Sequence, residues 1–220
     1  MALILNIDTA VETASICLAK DGEALSMAKN ESQKDHASWL HVAIKEIFER
    51  NNLELKTIDA VAVTSGPGSY TGLRIGMATA KGICYALNKP LVGLNTLLVM
   101  ANAAKKENAD LLCPMIDARR MEVFTAIYTI DLQIVMEPSA ITLNENSFND
   151  YLSNNRICFF GNGSTKFRTI KNNDRMFFND AKADASTMIL LSEKKFAEKE
   201  FADLAYAEPL YLKEFYTPSR

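Results

Sequence analysis

Residues Ile58 to Thr64, IDAVAVT, form a short β-rich run that leads directly into Ser65-Gly66-Pro67-Gly68-Ser69. A helical pattern then runs from about Tyr70 to Leu87. Few local signals constrain a fold as strongly. Gly66 and Gly68 permit backbone angles closed to other residues, on either side of a proline whose φ is set by its ring. Ser69 or Thr71 can cap the helix that follows. Asn88-Lys89-Pro90 stops it. A strand passing through a tight elbow into a helix is the working unit of an α/β sheet.

The rest of the chain is read around that unit. Ala2 to Ile7 is a continuous apolar run, expected of a strand buried on both faces. Thr13 to Ala19 alternates, Asp21-Gly22 is a hairpin signal, and Ala24 to Lys29 returns as a third strand. His36 to Asn51 reads as a helix, because Leu40, Ala43, Ile44, Ile47 and Phe48 share one face. Ser32 and Asp35 are its candidate caps. A short strand, Leu91 to Leu94, and a helix, Thr96 to Lys106, complete the first half. In the second half, Asp110 to Asp117, Glu122 to Tyr128 and Leu132 to Met136 read as strands. Phe148 to Asn154 reads as a short helix, Ile157 to Phe160 as a strand, and Ala185 to Phe201 as a longer helix.

The order three strands, helix, strand, helix therefore occurs twice without sequence repetition. The expectation is an α/β protein of two ribonuclease-H-like subdomains, each a mixed sheet with helices. This is the topology used twice in the actin, Hsp70 and sugar-kinase superfamily. The boundary falls near Ala104 to Ala109, giving subdomains 1–104 and 105–220.

Composition removes several function classes. The net charge of −3 argues against autonomous nucleic-acid binding. Cys17, Cys84, Cys113 and Cys158 are far apart with no CxxC pair, which reads as buried, reduced thiols in a cytosolic protein. The N-terminal MALILNIDTA is short and lacks preceding basic residues, so it is expected to be a strand and not a signal peptide. No apolar run approaches the roughly 20 residues that cross a bilayer. A cytoplasmic location with no membrane contact is expected.

Chemistry-bearing positions divide into two groups. Asp8-Thr9 ends the first strand and reads first as a turn cap, with a phosphate or metal-bound water as the alternative ligand. Gly66, Gly68 and Ser69, with Arg74 one turn into the helix, form a candidate anion site at a helix N-terminus. The GK[ST] of a P-loop is missing. Asp117-Ala118-Arg119-Arg120 lies between two strands, where Asp117 is expected to pair with an arginine of the turn; the alternative is a guanidinium presented to phosphate or to a partner carboxylate. Gly161-Asn162-Gly163-Ser164 reads first as a plain turn, with a nucleotide-proximal turn as the alternative. Lys166, Arg168, Lys171 and Arg175 form a loose basic stretch that reads as a solvated face before an RNA site.

Gly72, Gly76 and Ala80 fall at i, i+4 and i+8 and make a small-residue stripe; Gly82 lies off it. Each interior glycine costs about 1 kcal/mol relative to alanine. Close approach of another helix is the expected compensation, either within the chain or at a subunit interface. The interface reading adds Trp39, Leu40, Ala43, Ile47, Leu73, Met77 and Tyr85. It also expects that Gly76→Leu abolishes association without unfolding the chain. His36 and His41, the only histidines, are five apart and cannot form the i, i+3 or i, i+4 metal pair of a helix.

LNIDTAVETASICL, VTSGPGSYTGLRIGMATAKGICYALNKPLVGLNTL and PMIDARRMEVFTAIY together resemble the TsaB (YeaZ) family of tRNA threonylcarbamoyladenosine biosynthesis proteins. The resemblance is strongest from residue 1 to 128, and the ending PLYLKEF is similar to the family's C-terminal pattern. It implies a non-catalytic scaffold, a paralogue of TsaD, required for threonylcarbamoyl transfer to N6 of adenosine 37 in tRNAs reading codons that begin with A. The TsaD-type HxxxH metal motif is absent from this sequence. The implied partners are a TsaD-like catalytic subunit, a TsaE-like ATPase and, in isolation, a second copy. tRNA would be met only through the complex. The helices Leu40–Phe48 and Gly72–Leu87 are the implied contact elements. No cofactor of its own is implied; ATP serves the wider complex. The alternative is a nucleotide-dependent phosphotransferase or ATPase of the same superfamily, with weak nucleotide binding, which would use Asp8-Thr9, Ser65–Ser69 and Gly161–Ser164 around an inter-domain cleft.

Overall fold

The computed structural model describes residues 2–31, 35–105 and 108–213. The chain divides into two compact units, residues 1–99 with 183–209 and residues 100–182 with 210–220. Element order had pointed to one cut at 104/105. The contacts instead return the 183–209 segment to the first unit.

In the first unit, β1 (Leu3–Asp8), β2 (Ala14–Lys20) and β3 (Glu23–Asn30) form an antiparallel meander. Asp21 and Gly22 turn β2 into β3 at φ 55° and 80°, the left-handed angles that Asp-Gly supplies at low cost. β4 (Ala60–Gly66) and β5 (Leu91–Asn95) then pair parallel to β1, giving the order β3-β2-β1-β4-β5. β1 is buried over its whole length, as a continuous apolar strand must be.

One face of this sheet packs against α1 (His36–Arg50) and α2 (Tyr70–Leu87) through Leu5, Ile7, Leu40, Ile44, Ile47, Val61, Val63 and Met77. The other packs Ile4, Ala62, Val92 and Leu94 against Val99 of α3 (Thr96–Ala103) and against the returning segment. That segment starts as a 3-10 turn, Ala185–Met188, whose Ala185 N–H donates to Ser15 Oγ at 2.9 Å. Ala202 then bridges Leu91 on the edge strand. Asp35 sits at the N-cap of α1 without a side-chain cap bond; Ser32 and Lys106 lie outside the described residues.

The second unit repeats the topology. β6 (Leu111–Asp117), β7 (Glu122–Thr129) and β8 (Ile134–Thr142) are antiparallel. β9 (Ile157–Phe160) and β10 (Met176–Asn179) continue parallel to β6, in the order β10-β9-β6-β7-β8. Its core holds Phe148, Phe159 and Phe167 with ring centroids 5.1–5.7 Å apart in tilted or edge-on pairs. Two elements were not legible in advance: α5 (Ser164–Ile170) and β10. α4 (Asn149–Leu152) is shorter than expected. The expected helix over 185–201 is a 3-10 turn followed by α6 (Ile189–Ala197). All four cysteines are buried free thiols. Two mixed sheets with this strand order are the ribonuclease-H-like fold used twice.

Candidate functional site

The elbow after β4 closes onto the turn after β1. Gly66 takes φ 113° and precedes a cis Pro67. The Ser69 N–H donates to Ala10 O at 2.6 Å, and Ser69 Oγ accepts from the Gly72 N–H at 3.3 Å. Ser69→Ala removes this cap and is expected to lower the unfolding free energy by about 1 kcal/mol, read by chemical denaturation. A Cβ on Gly68 would stand 2.2 Å from Ala10 O, so this glycine is required for close approach and not for an unusual φ. Thr9 Oγ1 donates to Gly72 O at 2.7 Å.

Asp8 is buried at the end of β1. Its Oδ1 accepts from the Thr64 hydroxyl at 2.9 Å and from the Ala10 N–H at 3.1 Å. Burial pushes its pKa up to about 6, against those two hydrogen bonds and with help from the nearby Asp184 carboxylate. The structure thus places Asp8, Thr9, Gly66, Gly68 and Ser69 near one another. It turns their donors and acceptors toward one another and places a carboxylate in their midst. Arg74 is exposed on α2, its guanidinium 4.1 Å above the Tyr70 ring.

The glycine stripe of α2 was open to two readings, contact within the chain or with a partner. Gly72, Gly76 and Ala80 do serve close approach, but within the chain. A Cβ at Gly72 would meet Thr9 O at 2.0 Å, and one at Gly76 would meet Thr9 Oγ1 at 2.3 Å. Leu40, Ala43, Ile47, Leu73, Met77 and Ala80 are buried in the core of the first unit, and Trp39 packs on its margin. None of these buried side chains can be offered to a partner, and a leucine at position 76 would disturb the fold itself. Of the ten expected interface residues, only Tyr85 is fully outside, at 83% exposure.

The outward face of α2 was missed. Its exposed positions are Thr71, Arg74, Ala78, Gly82, Tyr85 and Ala86. Gly82 has nothing within 4 Å of where a Cβ would stand. A solvated helix face normally carries alternating charge; here Arg74 is the only exposed charged residue. The other basic residue of α2, Lys81, donates to Ala205 O and Ala207 O at 3.2 and 2.9 Å. On neighbouring α1, Val42 is 55% exposed. The signal was available in the sequence: Thr71, Ala78, Gly82 and Ala86 share a second small-residue face.

In the second unit an equivalent elbow follows β9. Gly161 takes φ 89°, and its Cβ would meet Met115 O at 2.4 Å. Asn162 Oδ1 accepts the Asp117 N–H at 2.8 Å. Asp117 pairs with Lys166 at 2.6 Å and not with a guanidinium of the turn; it accepts the Arg119 backbone N–H, also at 2.6 Å. Of the expected basic face, Lys166 is thus consumed in a pair and Arg168 lies 5.6 Å over the Phe178 ring.

With this geometry in hand, the comparisons decide the family. A family model for TsaD, tRNA N6-adenosine threonylcarbamoyltransferase, matches residues 28–213. The chain belongs to the TsaD family. Within it the resemblance is to TsaB members. The TsaB of Escherichia coli K12 is 36% identical over 129 residues, covering 58% of this chain and 55% of that protein. The TsaB of Bacillus subtilis is 30% identical over 125 residues, covering 57% and 54%. The chain spans about half the length of the curated relatives it matches. YeaZ from Pseudomonas aeruginosa, at 22% identity, superposes with a TM-score of 0.80 over 96% of this TsaD-family chain and all of that one, a likeness of fold. No helix among the described residues is long and apolar enough to cross a membrane.

Proposed function

We propose that this chain is a non-catalytic docking subunit in the formation of threonylcarbamoyladenosine at position 37 of tRNA. It would present the outward face of α2, with Val42 of α1, to a TsaD-like transferase. A TsaE-like ATPase would join the same assembly in the cytoplasm. In isolation a second copy would cover the same face, and tRNA would be met in the assembled complex.

One observation carries this reading: Gly82, a mid-helix glycine with open space around it. Glycine there costs about 1 kcal/mol of helix propensity, and no contact among the described residues accounts for it. A second helix backbone approaching between Ala78 and Ala86 does account for it, and Tyr85 supplies the large aromatic anchor such interfaces favour. The TsaB names of the relatives support the choice of reaction. Association would favour the partner's competent state through differential affinity for it.

Gly82→Arg fills the face with a long charged side chain. It is expected to weaken co-purification with a TsaD-type partner at least tenfold while the melting temperature stays within a few degrees of the parent. Undiminished binding by a folded Gly82→Arg protein rejects this surface.

A further inference from the structure

The hairpin joining β6 to β7 has a backbone that its sequence does not favour. Arg119 and Arg120 adopt φ 68° and 48°, the only adjacent pair of positive-φ non-glycine residues among those described. Side-chain-bearing residues other than Asn and Asp pay steric strain in this region, and glycine is its default occupant. Both arginines are exposed, so neither is retained for packing. Observed strain of this kind at an exposed position points to use of the side chain.

The base of the hairpin is locked. Asp117 Oδ1 holds the Arg119 N–H and Lys166 Nζ, each at 2.6 Å, and the Asp117 N–H is held by Asn162 at 2.8 Å. Glu122 pairs with Lys213, and Lys166 also reaches Glu122 O at 3.4 Å. Each carboxylate of the hairpin therefore already has a lysine. The Lys213 contact holds the Glu122 carboxyl below its usual range, assisted by Arg120. At Asp117, partial burial works upward, but Lys166 and the Arg119 N–H outweigh it and the carboxyl titrates low. Neither arginine guanidinium forms an ion pair among the described residues. Four cations, Arg119, Arg120, Lys166 and Lys213, stand against two carboxylates. The tip carries a net +2 on a chain whose net charge is −3.

We propose that this hairpin tip grips the phosphodiester backbone of an RNA, with Arg119 and Arg120 as its phosphate-binding residues. Guanidinium is the side chain suited to bidentate phosphate contact, and two in succession match successive phosphates along a strand. Phosphate contacts position a protein without reading sequence, a role open to a chain with no broad basic face. The choice of RNA over an acidic peptide rests on the tRNA-modifying role proposed above.

The test uses the double variant Arg119→Gly/Arg120→Gly in the full chain, reconstituted with its TsaD-type partner. Glycine at these angles relieves strain, so the melting temperature is expected to hold or rise. The variant Arg119→Gln/Arg120→Gln, which keeps a polar side chain and removes the charge, is measured beside it and is expected to agree. The probe is a fluorescein-labelled, unmodified transcript of a tRNA reading codons that begin with A, titrated at several salt concentrations. The expected result is roughly tenfold weaker binding, with the slope of log affinity against log salt reduced by about 1 to 2. Unchanged affinity and slope overturn the proposal. So does loss of the protein partner with RNA binding intact, which would make the tip a protein contact. If the parent chain does not bind a TsaD-type partner, the docking role fails separately. The same titration on parent and variant chains alone then decides the hairpin's role: a weaker, less salt-dependent variant upholds it, and equal curves overturn it.

Discussion

Gly72→Leu should cost the chain its cooperative fold, while Gly82→Ala should leave it intact or slightly more stable. Both glycines lie on α2, three turns apart at most, and their environments are opposite. A Cβ at Gly72 would be 2.0 Å from the Thr9 carbonyl oxygen and 3.2 Å from the Thr9 carbonyl carbon. These are backbone atoms at the end of a fully buried strand, so no side-chain rotation relieves the clash. α2 would have to lift from β1, breaking the Thr9 Oγ1 to Gly72 O bond and opening the core around Val63 and Met77. Overpacking a closed site costs about 1–3 kcal/mol where the surroundings can yield. Here the neighbour is backbone, and the loss is expected at about 3 kcal/mol or more. At Gly82 an added Cβ meets open space, and alanine recovers up to about 1 kcal/mol of helix propensity. Urea unfolding of the two variants reads the difference. A Gly72→Leu protein that unfolds at the parent's midpoint would show that α2 does not sit on Thr9 as described.

Asp8→Asn should stabilise the chain, and the gain should depend on pH. In the folded chain the Asp8 pKa is about 6, against 3.8 for an ordinary aspartate. The folded state therefore holds the proton more tightly than the unfolded state does. The stability this group contributes is complete below pH 3.8 and is lost as pH rises through about 6. A displacement of about two pH units corresponds to about 3 kcal/mol, undiminished by solvent because the carboxyl is fully buried. Asparagine keeps an oxygen to accept from Thr64 and Ala10 and removes the repulsion from Asp184. The variant should exceed the parent by up to about 3 kcal/mol at about pH 7.5, with the gap closing by about pH 4. A gap of the same size at both pH values would show that burial of the charge is not the cause.

The first-half elements were legible because their signals are strong and local. β1 is mostly apolar and buried throughout, the face of α1 repeats without interruption, and Gly-Pro-Gly and Asn-Lys-Pro bracket α2. α5 and β10 were not. Phe167 and Ile170 are interleaved with Lys166, Arg168 and Lys171, and four residues of β10 carry too little pattern to separate from a loop. The candidate site was half legible. Gly72, Gly76 and Ala80 share one face of α2 as their spacing requires, but spacing left open whether that face meets the chain itself or a partner, and Gly82 was set aside.

Spacing along the chain established that the stripe exists, that the elbow lacks a P-loop, and that no helix carries a paired-histidine metal motif. These follow from residues within a few positions of one another. What the stripe packs against depended on Thr9, 63 residues before Gly72, and became visible once β1 and α2 were set side by side. The raised proton affinity of Asp8 likewise depends on the water excluded by other parts of the first unit. The strain at Arg119 and Arg120 depends on the register in which β6 meets β7. Periodicity names the members of a face; burial, charge state and backbone strain are set by what that face meets, and in this chain those partners lie far off in sequence.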